Sequence, residues 1–486
     1  MTMVSDLMRA PGLMHVGGSW VPAASGAVLE SVDPTTEEVL GTVPDAGADD
    51  VAAAVAAARE AAPQWAALGW KRRAGLLREL ADRIADEAEN LARLDVRDSG
   101  NPLTGMRGDV AQASEEIRFF AGIASQTRGI TGPPLTDSLS WTEREPYGVV
   151  GRIVPFNHPF KFASGKAAAP LAAGNTVIVK PGEQTSLSAL ELARIAADLL
   201  PPGVLNVVTG RGATAGAALV AHPDVPRIAF TGSVPSGRAV LRGAAEEIKH
   251  VSLELGGKNP IVVFPDVDPV RAARAAVAGM NIARSTGQSC GSTSRLFVHD
   301  DVRGPFLDAL VQRLSELRIG DPMDEATEVG PLSFRAHHER VVSYVASGRR
   351  EGATLLHGGD RPAHLPRGFF LEPTLFADVD DGMTIAREEI FGPVMSVLSW
   401  RDWDDMVARA NATRLGLTAN VWTNDINAAV RTARALEAGY VYVNGSGRRP
   451  GGMPFGGWKN SGLGQENGLE ELLSYTREKV VTVTLL

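Results

Sequence analysis

From Val149 onward the chain alternates short β-rich runs with helical ones, and few architectures accept that order. Residues 149–154, 176–179, 205–208, 228–230 and 251–255 are dense in Val, Ile, Leu and Phe, the pattern of strands buried on both faces. Between them, residues 186–200 place Leu187, Leu190, Ile195 and Leu199 at helical spacing, and residues 213–221 are small and helix-compatible. Strands joined through helices run parallel, with right-handed crossovers set by strand twist. The fold class is therefore α/β, a mainly parallel sheet covered by helices. Such sheets bind ligands beyond the carboxyl ends of their strands. A second alternation starts near Asn259, with strands expected at 261–264, 295–298 and 394–398 and a helix at 270–285. Ahead of both, Asp49 and Asp50 suit the start of a helix over 51–62, and a second helix is expected from about 71 to 97. Residues 129–146 and 478–486 are extended and fall outside both alternations, which suggests an added sheet or a subunit contact.

Composition narrows the functional classes. At 486 residues, with 44% hydrophobic and 22% charged, the chain has room for two or three ordinary globular domains. A formal charge of −9 argues against nucleic acid as partner. The first ten residues lack the apolar core of a secretory signal, and no apolar run approaches the roughly 20 residues that span a bilayer. The single cysteine, Cys290, forms no internal disulfide and no cysteine-rich metal site. A cytoplasmic protein with neither metal nor membrane partner is expected.

Five segments carry chemistry. A lone cysteine is most often a small core residue, but Gly287-Gln-Ser-Cys290-Gly is polar and glycine-flanked, the setting of an exposed thiol. Glu254 ends an apolar strand just before Gly256-Gly257; it is either a general base or half of an ion pair. Two prolines bracket Asn157, whose fixed amide is a suitable oxyanion donor, while His158 beside it reads as structural. Lys180-Pro-Gly-Glu183 follows a strand with one cation and one carboxylate. The carboxylate suits ribose hydroxyls and would repel a 2′-phosphate, favouring NAD over NADP. Phe230-Thr-Gly232-Ser233 offers N–H groups to a pyrophosphate. The glycine spacing through Gly210, Gly212 and Gly216 comes close to a dinucleotide fingerprint, though one such match is not specific.

Together these segments resemble the aldehyde dehydrogenase superfamily, in its hydrolytic NAD(P)-dependent branch, across nearly the whole chain. The motifs keep that family's order: Pro155-Phe-Asn-His-Pro, Lys180-Pro-Gly-Glu, Phe230-Thr-Gly-Ser, Leu253-Glu-Leu-Gly-Gly-Lys-Asn-Pro, Gly287-Gln-Ser-Cys, Glu389-Ile-Phe-Gly-Pro and Pro454-Phe-Gly-Gly-Trp-Lys-Asn-Ser-Gly. The resemblance implies NAD-dependent oxidation of an aldehyde to its acid. Cys290 would be the nucleophile, Asn157 and the Cys290 N–H the oxyanion site, and Glu254 the base that activates water on the thioester, with Lys180 counted in the same catalytic set. Lys180 and Glu183 would hold the adenosine ribose, Ser233 the pyrophosphate, and Glu389 and Phe391 the nicotinamide end. Val154, Pro155, Phe156, Phe230, Gly232 and Leu255 would line the same site, with Gly212 and Gly216 beside it. It also implies a Rossmann-like NAD-binding domain (1–128 and 147–257), a catalytic domain (258–477) and a β oligomerisation arm (129–146 and 478–486), in a homodimer or homotetramer. Transfer of the thioester to coenzyme A and a non-catalytic scaffold are the alternatives.

Three positions depart from the family's commonest pattern: Phe156 for Trp, Pro235 for Glu and Gln465 for Arg. None removes a catalytic group. Lys161, Phe162, Arg448, Arg449 and Phe455 are expected to border the aldehyde. The arginine pair is either solvated or a carboxylate clamp for a semialdehyde.

Overall fold

The computed structural model describes residues 12–133, 135–447 and 450–485. Arg448 and Arg449 lie outside them, as do the first eleven residues, Pro134 and Leu486. Two sheets carry the fold. In the first, strands Leu205–Val207, Thr176–Lys180, Val149–Ile153, Arg227–Thr231 and His250–Glu254 lie side by side and parallel. Antiparallel strands close both edges: Met14–Val16 with Ser19–Val21 at one, Gly462–Leu463 at the other. The second sheet runs Thr354–His357, Thr374–Ala377, Val394–Trp400, Arg295–His299, Pro260–Val263, Thr418–Trp422 and Tyr440–Val443, parallel except at the first pair. The α/β expectation holds in both units. The edge strand Gly462–Leu463 is legible in no local pattern. It arrives from the far end of the chain and pairs with Leu253 and Glu254.

Helix boundaries differ from the sequence reading where the chain must turn. The helix expected over 71–97 is two, Gly69–Asp86 and Ala88–Ser99. Glu87 (φ −95°, ψ 7°) redirects the chain so that Leu77 and Leu80 on one side and Leu91 and Val96 on the other enter one core. The helix expected over 270–285 divides into Pro269–Gly279 and Ile282–Ser285, because Asn281 takes a left-handed conformation (φ 56°). Residues 212–216 form a wide π turn ahead of the short helix Ala217–Ala221.

The two extended segments pair with each other. Strand Ser138–Pro146 runs antiparallel to Thr476–Thr484 through nine residue pairs, and it stands apart from both sheets. Leu139, Val480 and Val483 on this ribbon are exposed. Among the described residues, no helix is long and apolar enough to cross a membrane.

Candidate active site

The parallel strands of the first sheet end together. Register places Lys180 and Phe230 opposite Ile153, and Thr231 opposite Glu254, so four loops leave from one edge. Cys290 approaches that edge from the second unit on a tightly turned loop. Thr286 (φ 51°) and Gly287 (φ 73°) are both left-handed, and a Cβ on Gly287 would lie 2.7 Å from the Gly392 carbonyl. Asn259 Nδ2 donates to the Cys290 carbonyl at 2.7 Å and to that of Ser292 at 3.0 Å, fixing the loop at the cysteine and just beyond it. Cys290 itself is partly exposed.

Asn157 is 2% exposed. Its Nδ2 donates to the Gln288 carbonyl at 2.8 Å, which ties it to the cysteine loop and leaves the second amide hydrogen for another acceptor. Glu254 is buried, with no hydrogen-bond partner on either carboxylate oxygen. Burial, reinforced by the nearby Glu466 carboxylate, lifts its pKa well above the ordinary carboxylate range.

Two cavities meet at these groups, and Cys290 and Glu254 line both. The larger, about 1540 Å³, runs along the strand-end edge. Of the residues expected at a cofactor, Pro155, Phe156, Gly232, Ser233, Leu255, Glu389 and Phe391 line it. Ser233 caps the helix Val234–Ala245, and Pro235 falls in that helix's first turn, where a missing N–H costs little. The Glu389 carboxylate accepts from Gly257 N at 3.1 Å and presses on Gly256, where a Cβ would lie 1.8 Å from it. Burial raises its pKa to about 7.

Val154, Lys180, Glu183, Gly212, Gly216 and Phe230 do not line this cavity. Val154 N donates to the Lys180 carbonyl at 3.0 Å, and Gly212 N to Glu183 Oε2 at 2.9 Å. Gly216 ends the same π turn. The Phe230 ring packs where a Cβ on Gly232 would stand, at 2.6 Å. Burial lowers the pKa of Lys180 to about 8.

The smaller cavity, about 910 Å³, has Lys161, Phe162 and Phe455 in its wall, as expected. Apart from Glu254 and Arg284, its other charged residues were not legible locally. Arg284 and His158 both bond the buried Asp109, His158 Nδ1 at 2.5 Å. Burial would raise Asp109, but His158, Arg284 and Lys161 outweigh it and keep the carboxylate ionised. Burial lowers the pKa of His158 against the opposing pull of the Asp109 carboxylate, and its reading as structural fits this pairing. Below Glu254, Glu466 accepts from Arg152 at 2.6 Å and pairs with Lys166 at 2.9 Å. Burial would raise Glu466 too, yet these two cations hold it at about 2.

Further residues escaped sequence reasoning on the larger side. Phe334 and His337 stack edge-on or tilted against Phe156, and His337 Nε2 bonds the Phe391 carbonyl at 2.7 Å, holding a left-handed residue (φ 61°) in place. Nothing near His337 in sequence marks it, because its helix Arg335–Arg350 reaches the site only through tertiary packing. On the smaller side, Arg284, six positions before Cys290, was open to suspicion as a cation beside the thiol. Among the described residues, no cluster of His, Cys, Asp and Glu is placed to hold a metal ion.

Fold and site together define a two-sheet α/β protein whose one cysteine, Cys290, is set between a long crevice and a polar funnel. The model of the aldehyde dehydrogenase family matches residues 20–481, and the chain belongs to that family; the activity that goes with it is aldehyde oxidation. The hydroxyisobutyraldehyde dehydrogenase of Mycolicibacterium austroafricanum is 44% identical over 477 residues, covering 98% of this chain and 94% of its own. The NAD+ complex of an aldehyde dehydrogenase from Bacillus cereus superposes with a TM-score of 0.97 at 41% identity, covering 100% of this chain and 99% of that one. An NAD-dependent aldehyde dehydrogenase from Sinorhizobium meliloti gives 0.95 at 40% identity, covering 99% and 96%.

Proposed function

We propose that this protein oxidises a short polar aldehyde with NAD+, through a covalent intermediate on Cys290. The observation that carries the reading is that Cys290 and Glu254 line both cavities. The Cys290 sulfur adds to the aldehyde carbon. The oxygen that becomes negative is met by the Cys290 N–H and by the Asn157 amide hydrogen that Gln288 does not use. Bound NAD+ would accept the hydride, leaving a thioester. Glu254 then takes a proton from water at a carboxylate oxygen that no protein group occupies. A carboxylate whose pKa is raised by burial is the stronger base for that step. This base beside the sulfur favours water over coenzyme A as acceptor.

The larger cavity fits the cofactor on its own features. Gly256 admits the Glu389 carboxylate, and Gly232 and Ser233 stand at the start of the helix Val234–Ala245. Glu389 and Phe391 would hold the nicotinamide end, and Lys180 and Glu183 the adenosine ribose. Glu183 beside Gly212 N suits a free ribose diol and disfavours a 2′-phosphate, so NAD+ is preferred. The relative from Bacillus cereus was solved with NAD+, which supports the assignment. Residues 1–128 and 147–257 would then form the NAD-binding domain and 258–477 the catalytic domain. The ribbon of 129–146 and 478–486 would join subunits of a homodimer or homotetramer. An isolated two-stranded ribbon with exposed Val480 and Val483 is only marginally stable without a partner.

For the substrate, Lys161 and Arg284 in the funnel wall favour a semialdehyde whose carboxylate faces them. A neutral hydroxy aldehyde is the second reading. Asp109 already neutralises Arg284, and the Mycolicibacterium relative carries a hydroxy aldehyde in its name. The test of the whole proposal is thiol titration. Iodoacetamide should remove NAD+-dependent activity in proportion to alkylation of the one cysteine. Activity that survives full alkylation would overturn it.

A further inference from the structure

The turn that carries Glu389 and Phe391 is gripped by one face of a helix. His337, Arg340 and Tyr344 stand on the helix Arg335–Arg350 at spacings of three and four residues, which puts them on one side of it. Each bonds the turn. His337 Nε2 donates to the Phe391 carbonyl at 2.7 Å, and Arg340 Nη2 to the Glu389 carbonyl at 2.9 Å. The Tyr344 hydroxyl donates to Glu388 Oε2 at 2.7 Å. Val341, on the same face, packs so closely that a Cβ on Gly392 would lie 2.9 Å from its methyl carbons. His337, Arg340 and Tyr344 all line the larger cavity, as Glu389 and Phe391 do. His337 is the buried member, 5% exposed, whereas Arg340 is exposed.

The grip opposes a conformational cost. Phe391 has φ 61°, a left-handed backbone that an aromatic residue keeps only when its surroundings hold it. Its bonded carbonyl, and the Phe156 and His337 rings against its own, supply that hold. The Glu389 carboxylate is fixed separately, accepting from Gly257 N at 3.1 Å. The turn is thus tied to a strand-end loop through a side chain and to the helix through its backbone. We propose that His337 and Arg340 are positioning residues for the nicotinamide end of the cofactor. By fixing the backbone of Glu389 and Phe391, they set how firmly the nicotinamide is held, and so how fast hydride leaves the bound aldehyde. The proposal rests on the reading of this crevice as the NAD+ site. Neither residue needs to touch the reacting atoms. A packing role at position 337 asks only for apolar bulk, whereas this role asks for a hydrogen-bond donor, and substitution separates the two.

The test reads the two ends of the cofactor apart. NADH fluoresces from its nicotinamide, whereas ADP carries the adenosine and both phosphates without it. His337→Leu keeps apolar bulk and loses the donor. It should lower the fluorescence enhancement and anisotropy of bound NADH. It should also slow the single-turnover burst of NADH from NAD+ and propanal by roughly tenfold. Affinity for ADP, measured by calorimetry, should not change. His337→Gln restores a side-chain N–H donor and should recover both nicotinamide readouts. A wild-type NADH signal and burst in His337→Leu would overturn the proposal. So would a His337→Gln variant as impaired as His337→Leu, or an ADP affinity that falls along with the burst. Should His337→Leu fail to fold, Arg340→Met, at an exposed position, decides: an unchanged burst and NADH signal reject the grip. Failure of the underlying reading looks different, because the wild-type protein would then bind neither NADH nor ADP.

Discussion

The two sides of Cys290 are built from different materials. The larger cavity is walled by rings, with Phe156 and His337 each touching Phe334 and Phe391, and by backbone turns at strand ends. Charged side chains, Arg238, Arg340, Arg387 and Glu388 among them, stand exposed at its rim. The smaller is walled by charge: Lys161, Lys166, Arg284, Glu116 and Glu466 all reach it. Aromatic faces and backbone N–H groups suit one fixed partner and need little long-range support. Charge must be balanced by groups brought from elsewhere, as Asp109 is brought to Arg284 and His158. The first side is therefore generic and the second individual.

The sharpest break in that comparison is at the thiol, which serves both sides. Cys290→Ala should cut kcat by roughly 10³-fold or more, while NAD+ binding, read by quenching of protein fluorescence, stays in place. Loss of both would show that the large cavity depends on the nucleophile. Glu254→Gln comes next. Rapid-mixing kinetics should retain the first NADH burst while steady turnover falls by roughly 10²–10⁴-fold. The sign of its pH dependence follows from the raised pKa. The base works only deprotonated, so wild-type turnover should climb with pH through a midpoint above the ordinary carboxylate range. A climb that persists in Glu254→Gln would assign that limb to another group.

What the sequence disclosed divides along the same line. The turns at the strand ends and beside the large cavity are local: Lys180-Pro-Gly-Glu183, Phe230-Thr-Gly-Ser233 and Glu389-Ile-Phe391 each announce themselves within four residues. The alternation near Val149 likewise predicts the sheet, because strand and helix periods are local properties. The small side was mostly silent. Asp109 meets His158 across 49 positions, and Glu466 meets Arg152 across 314. Both pairs exist only once the helices and the Gly462–Leu463 edge strand are docked. His337, on the large side, was missed for the same reason. Its helix is placed by packing and carries no mark of its role.

Two smaller effects sharpen the contrast between generic and individual. Glu183→Gln removes the charge that opposes a 2′-phosphate, and should narrow the ratio of NAD+ to NADP+ in kcat/KM by roughly tenfold. An unchanged ratio would move cofactor choice to another residue. On the other side, Arg284→Gln separates the two substrate readings. If a carboxylate docks there, kcat/KM for succinic semialdehyde should fall roughly tenfold further than for butanal. Equal losses would leave the guanidinium a structural partner of Asp109.

The smallest expected effect concerns the aspartates behind both cavities. Asp95 accepts from Phe160 N at 3.0 Å, and Asp98 from Leu187 N at 3.1 Å and Ser31 Oγ at 2.5 Å. Neither faces a cation that offsets its burial, and desolvation lifts them to about 8 and about 7. Asp109, equally buried, faces Arg284 and stays charged. The two kinds of aspartate should respond to pH with opposite sign. A carboxyl raised in the folded state stabilises most below its unfolded pKa, and that contribution is lost as pH rises through the folded value. Unfolding free energy should therefore decline between about pH 4 and 8, by at most ~1.4 kcal/mol per pH unit for each such group. Asp95→Asn, which keeps the acceptor and cannot ionise, should flatten that decline. Asp109→Asn should act at the acid end, where the wild type loses the ionised form's contribution as pH falls. Urea titrations at a series of pH values separate the two. A decline equally steep in Asp95→Asn would mean that its carboxyl is ionised in the fold, and that the neutral and charged halves of this support are not distinct.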